Sequence, residues 1–188
     1  MSEPTTKRQR THPTTPAIPY ETLHDHGDIN LRVDASDGPH IYRVLSTRLT
    51  TCSPFFAAIL KTAFHSSESV RYQAHLLDPL TQNTPFPLTI AIEDSTQPSI
   101  RVILKLMHSL YQCPRGGGGV QWNFDKCFDI VLLADYFGCE KIVREWGCFW
   151  DWPGSGALEV EKGPRAGVRE RRWKLEFMSR VLGGTKSF

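Results

Sequence analysis

The stretch from Phe128 to Ala134 constrains this chain more than any other, because it is apolar on nearly every side of a helix. Phe128, Ile130, Val131, Leu132, Leu133 and Ala134 leave no wide polar face, and a helix of that kind is covered by neighbours on most sides. The pattern predicts a helix from about Asp125 to Phe137, closed by Gly138 as its C-cap. Other parts of the chain must supply the covering layers. With 188 residues and 40% hydrophobic content, the chain is long enough for one ordinary domain with flanking segments and too apolar to be disordered throughout.

Strand signals come first in the chain. Ile29, Leu31 and Val33 alternate with Asn30, Arg32 and Asp34, the period of a strand with one buried face. Asp37-Gly38-Pro39 is turn chemistry, and a second alternation runs from His40 to Val44, so the two runs predict a β-hairpin. Leu88, Ile90 and Ile92 alternate with Thr89, Ala91 and Glu93 and predict a third strand. Ser53-Pro54 is the clearest helix start, a capping hydroxyl followed by a proline at the first helical position. Phe56, Ile59, Leu60 and Phe64 follow at helical spacing. Pro98-Ser99 opens another helix, with Ile100, Ile103, Leu104, Met107, Leu110 and Tyr111 on its inner side. Glu140 to about Trp150 predicts a further helix with Ile142, Trp146 and Trp150 on one stripe. Residues 65–85 have no clear period and carry Ser, Asn, Thr and Pro. They read as a long surface loop with a short ordered piece at His75 to Leu77. Gly116 to Gly119 is a flexible turn.

Residues 1–26 read as a disordered N-terminal arm, with order beginning near Gly27. Pro153-Gly154-Ser155-Gly156 reads as a linker, so residues 154–188 are expected to be a linker plus a basic C-terminal helix. Val168, Leu175, Met178 and Leu182 recur there at helical spacing, with Arg169, Arg171, Arg172 and Lys174 on the outer side. Net charge is +2, unevenly spread. Residues 27–153 hold 11 basic and 13 acidic residues, whereas 154–188 hold eight basic and four acidic. A nucleic-acid contact would therefore fall on the tail. No apolar run approaches the ~20 residues of a membrane span, and the first residues lack an apolar signal core. The expected location is cytoplasmic, nuclear or both.

No constellation for catalysis or metal binding is visible. The five cysteines (Cys52, Cys113, Cys127, Cys139, Cys148) include no Cys-x-x-Cys pair, and their odd count and wide spacing fit reduced, mostly buried thiols. His24 and His26 read as incidental surface histidines, and Glu93-Asp94 as turn solvation after a strand. The glycine run is followed by Val-Gln and not by Lys-Ser/Thr, so it is no phosphate loop. Gly154-Ser155-Gly156 has no strand before it and is no nucleophile elbow. The expectation is a protein without catalytic residues, metal or cofactor.

The segment GDINLRVDASDGPHIYRVLSTRLTTCSPFFAAILKTAF resembles the first half of a BTB/POZ domain, through Gly27, Asp28, Tyr42, Val44, Leu49, Ser53 and Phe56. SIRVILKLMHSLYQC resembles that family's helix ending in a tyrosine, here Tyr111. IVLLADYFGCEKIV resembles its helix with leucine, alanine, aromatic and small residues, here Leu133, Ala134, Phe137 and Cys139. Together the resemblance covers about two-thirds of the chain. Leu45-Ser46 replaces the His-Lys that shapes a charged groove in some members. Residues 13–26 hold three prolines in place of the N-terminal helix behind swapped dimers. Two positions after Phe64 stands Ser66, and the nearest acid is Glu68, where cullin-binding members carry a hydrophobe with a glutamate two positions later.

The resemblance implies an α+β fold, BTB/POZ-like, with a small mixed sheet of about three strands covered by a cluster of helices over residues 27–153. It implies a protein-protein interaction module. Such a module would serve either as substrate adaptor of a cullin-based ubiquitin ligase or as a transcription-related scaffold, with self-association a further possibility. Phe64, His65 and Glu68 are the expected partner-binding residues. The alternative is nucleic-acid association through the basic C-terminal helix, with Arg169, Arg171, Arg172 and Lys174 as contacts to nucleic acid or an acidic partner.

Overall fold

The computed structural model describes residues 17–61, 66–110, 124–147 and 165–182. Within them the elements run β1 (Tyr20–Thr22), β2 (Ile29–Ala35), β3 (Gly38–Val44), α1 (Ser46–Cys52), α2 (Pro54–Leu60), α3 (Ser67–Leu77), β4 (Phe86–Ile92), α4 (Gln97–Met107), α5 (Phe124–Phe137), α6 (Glu140–Gly147) and α7 (Arg165–Val181). The fold is mixed α+β, with seven helices among the described residues and an open, mixed, four-stranded sheet ordered β1-β3-β2-β4. β2 and β3 form the expected antiparallel hairpin, while β1 lies parallel to β3 and β4 parallel to β2.

Alternation places one sheet face inward. Ile29, Leu31, Val33, Tyr42, Val44, Phe86, Leu88, Ile90 and Ile92 are all buried. Their neighbours Asn30, Arg32, Pro87, Thr89 and Ala91 stay wholly or partly accessible, the usual state of a sheet covered on one side. α5 is buried on most sides as its composition requires: Phe128, Ile130, Val131, Leu133, Ala134 and Phe137 lie in the core. It ends at Gly138, whose φ of +65° falls where a side chain is disfavoured.

The Ser53-Pro54 signal works as read. The Ser53 hydroxyl accepts the Phe56 amide at 3.3 Å and donates to the Phe137 carbonyl at 2.5 Å, tying the start of α2 to the end of α5. Phe56 then stacks on Phe137 with ring centroids 5.2 Å apart.

Two helix starts have no local cap and borrow one from the sheet. Asp28, at the entrance to β2, accepts the Ser46 amide at 2.6 Å and the Ser46 hydroxyl at 2.5 Å, so it caps α1 from 18 residues upstream. Asp37, in the hairpin turn, accepts the Gln97 amide at 2.9 Å and anchors α4. The Gln97 side chain completes the junction, donating to the Val33 and Gly38 carbonyls and accepting from the Tyr42 hydroxyl. Orphan amides at a helix start need some acceptor, and here the loops of the sheet provide it.

Several expectations are corrected. Order begins before Gly27, because β1 adds a fourth strand and Leu23 is buried. Glu21 on β1 binds Arg101 through two hydrogen bonds of 2.6 and 2.7 Å and pairs with Lys105 at 3.3 Å, which fixes this short strand to α4. The presumed loop of residues 65–85 contains the 11-residue helix α3. It is capped by Ser66, whose hydroxyl accepts the Ser69 amide at 3.0 Å. Leu110 is exposed and does not share the inner side of α4. α4 ends at Met107, and Ser109 has a φ of 55°, which turns the chain away. On α6 the buried residue is Val143, with Ile142 only partly covered. The expected C-terminal helix is present as α7, and its Met178 and Val181 are buried in the domain core. Tyr111, Cys113, Gly116–Gly119, Cys148, Trp150 and the linker from Pro153 lie outside the described residues, as does the side chain of Trp146.

Candidate interaction surface

Those of the residues carrying the family resemblance that are described serve the scaffold. Tyr42, Val44, Leu49, Phe56, Leu133, Ala134, Phe137 and Cys139 are buried. Gly27 sits where a β-carbon would come within 2.7 Å of the Arg43 side chain and 2.9 Å of the Val44 carbonyl. Its own carbonyl accepts from Arg43 Nε at 3.0 Å. Asp28 joins three elements: besides Ser46 it accepts the Tyr72 hydroxyl at 3.0 Å, so one half-buried carboxylate holds β2, α1 and α3 together.

That link orients α3. Its inner side carries buried Ser69 and Tyr72, and the Tyr72 and His75 rings pack edge-on to Phe86 at the start of β4. Burial pushes the Tyr72 hydroxyl up to about 12, with Asp28 acting in the same direction. The Ser66 hydroxyl donates to the Ile59 carbonyl and fastens the helix start to α2.

At 100° per residue, Val70, Ala74 and Leu77 share the opposite side. Val70 is 60% exposed and Leu77 81%. The chain then enters a stapled turn, in which Asp78 accepts the Leu80 amide at 2.9 Å and the Thr81 hydroxyl donates to the His75 carbonyl at 3.1 Å. Leu80 stands 88% exposed on that turn. Large aliphatic side chains held this far into water on a braced helix and turn are candidates for contact with a partner.

Of the expected partner-binding residues, Phe64 and His65 lie outside the described residues. Glu68 is in the first turn of α3, two residues and about 200° of helix rotation away from Val70, so it is not on the aliphatic stripe. The Ser67 hydroxyl donates to it at 2.6 Å, and this bond holds its carboxyl below the ordinary value. No periodicity pointed to Val70, Leu77 and Leu80, because the segment read as loop. Their exposure follows only once Tyr72 is known to face inward.

Of the basic tail residues, Lys174 is engaged. Its ammonium lies 3.0 Å from Asp125 and 3.1 Å from Glu170, and 5.2 Å from the Phe128 ring centroid. It straps α7 to α5. Arg172 is exposed and pairs with Glu176 at 3.0 Å, and the side chains of Arg169 and Arg171 lie outside the described residues. Neither family models nor curated proteins match this chain. Among the described residues no cluster of three or more His, Cys, Asp or Glu is placed to hold a metal, and no helix is long and apolar enough to cross a membrane. Burial raises the Cys127 thiol to about 11 and the Cys139 thiol to about 12, the opposite of what a thiolate nucleophile needs.

His24 and His26 fall within a turn before β2, where His24 Nδ1 accepts the His26 amide at 3.2 Å. The neighbouring His108 is structural. Its Nε2 accepts the Leu45 amide at 3.0 Å, and its Nδ1 lies 2.7 Å from the Leu104 carbonyl, which therefore receives the ring proton. Burial depresses its affinity for a second proton.

Proposed function

We propose that this chain is a non-enzymatic, BTB/POZ-like protein-protein interaction module whose docking face is the outer side of α3 with the turn that follows. Its partner in this reading is a cullin scaffold, which makes the chain a substrate adaptor of a ubiquitin ligase. One observation carries the docking face: Val70, Leu77 and Leu80 are held in water on a helix and turn whose inner side is fixed by Tyr72, His75 and Asp78. The cullin reading rests on the sequence resemblance. The nucleic-acid alternative draws less support, because Lys174 is occupied by two carboxylates and covers an aromatic ring.

The test is mass by light scattering after size exclusion, with and without a cullin N-terminal domain. The expected result is a gain of one cullin domain per chain, abolished by the double substitution Leu77→Asp, Leu80→Asp. Both side chains are exposed, so the variant should keep its circular dichroism and melting temperature. No gain in mass refutes the cullin assignment. A gain that survives the double substitution refutes the docking face.

A further inference from the structure

Among the described residues β4 lies at the margin of the sheet, and only half of its backbone groups find a partner there. Phe86 donates its amide to the Asp28 carbonyl, and the parallel register pairs Ile29 with Phe86, Leu31 with Leu88 and Val33 with Ile90. In a strand, amide and carbonyl of one residue point the same way and successive residues alternate. Phe86, Leu88, Ile90 and Ile92 therefore direct their polar groups at β2, while Pro87, Thr89 and Ala91 direct theirs outward. Among the described residues those outward groups meet no backbone partner.

We infer that the free edge of β4 pairs antiparallel with the β4 of a second copy of this chain, centred on Thr89. The register follows from which groups are free. With Thr89 opposite Thr89 of the other copy, the two exchange both hydrogen bonds. Each Ala91 amide meets a Pro87 carbonyl, and the amide that Pro87 lacks is missing at the two ends only. The inward row continues as Leu88 against Ile90, both buried in the core. No residue of Phe86–Ile92 is charged, so no like charges meet. The acidic pair Glu93-Asp94 falls opposite Pro85 and Thr84 of the other copy. Strand edges that stay solitary are commonly blunted by charge, a bulge or a short length. β4 has seven residues and an unbroken register with β2, and its single blunting device is Pro87. The pairing would merge two four-stranded sheets into one of eight strands. It involves no residue of the α3 stripe, so it stands or falls independently of what docks there.

Charge complementation on Thr89 tests this in the full chain. Thr89 is exposed on the outer sheet face, and its side chain would sit directly opposite itself across the two-fold axis. Sedimentation of the wild-type chain at about 100 µM, a concentration that populates even weak dimers, should give twice 21.3 kDa. Thr89→Lys alone and Thr89→Glu alone should each raise the dimer dissociation constant about tenfold, since like charges face each other across the new pair. An equimolar mixture of the two should dimerise at least as well as the wild type. Circular dichroism of each variant confirms that the fold is kept. A wild-type mass of 21.3 kDa overturns the inference. So does a dimer indifferent to both substitutions, or a mixture no better associated than either variant alone.

Discussion

Replacing Asp28 by alanine should cost this fold about 3 kcal/mol, although the residue lies at the margin of the core and contributes no apolar area. The carboxylate accepts three hydrogen bonds, from the Ser46 amide, the Ser46 hydroxyl and the Tyr72 hydroxyl. The first is a helix cap, worth about 1 kcal/mol. The other two are hydroxyl bonds to a carboxylate whose donors sit on buried residues. Losing the acceptor leaves each donor short of a partner at about 1 kcal/mol apiece. Urea unfolding followed by circular dichroism measures the sum. For a slope of about 2 kcal/mol/M the midpoint should fall by roughly 1.5 M. Asp28→Asn keeps one acceptor oxygen and offers a donor that the two hydroxyls can accept by rotating, so it should cost about 1 kcal/mol. In a double-mutant cycle with Tyr72→Phe, the coupling should be about 1 kcal/mol, the size expected for partners in direct contact. An Asp28→Ala midpoint within about 0.2 M of wild type, below what one lost hydrogen bond would produce, would refute the idea that this residue unites β2, α1 and α3.

Three further outcomes follow from the same structure. His108 is neutral in the fold and its proton affinity is lowered by burial, so the unfolded chain binds the extra proton more readily; stability should fall as pH drops below the ordinary histidine value near 6.5, and His108→Gln, which can still accept from Leu45 and donate to Leu104, should flatten that part of the urea-midpoint profile. Gly138→Ala forces a side chain into φ +65° and sets its β-carbon 3.1 Å from Pro54, which should lower the midpoint by an amount equivalent to about 1–2 kcal/mol. Native-state alkylation at pH 7.5 followed by peptide mapping should leave Cys127 and Cys139 unmodified until urea is added; rapid labelling of either in the folded protein would contradict their burial.

The parts of the fold legible in the sequence were those whose signal is local. β2, β3 and β4 each carry a period of two because one sheet face is buried. α2 is marked by its own Ser-Pro cap, and α5 by its composition. The parts that were missed depend on residues far away in sequence. α1 is capped by Asp28 and not by its own neighbour. β1 has three residues, too few for a period, and exists through parallel pairing with β3 and the Glu21 ion pairs. α3 buries Ser69 and Tyr72 alone, so its hydrophobic pattern is faint, and it is held by Asp28, Ile59 and Phe86. The proposed docking face could not be read for the same reason, since the outward side of Leu77 is defined by the inward side of Tyr72. The described residues that were legible as a family resemblance brace the scaffold, and Glu68 lies away from the aliphatic stripe on the same helix.

The central claim, that the outer side of α3 and its turn is where a cullin docks, is tested most directly by hydrogen-deuterium exchange with a saturating cullin N-terminal domain. Docking there should slow exchange in peptides spanning residues 66–82 and leave β2, β3 and α5 unchanged. Unchanged exchange across 66–82, with protection elsewhere or nowhere, would contradict it.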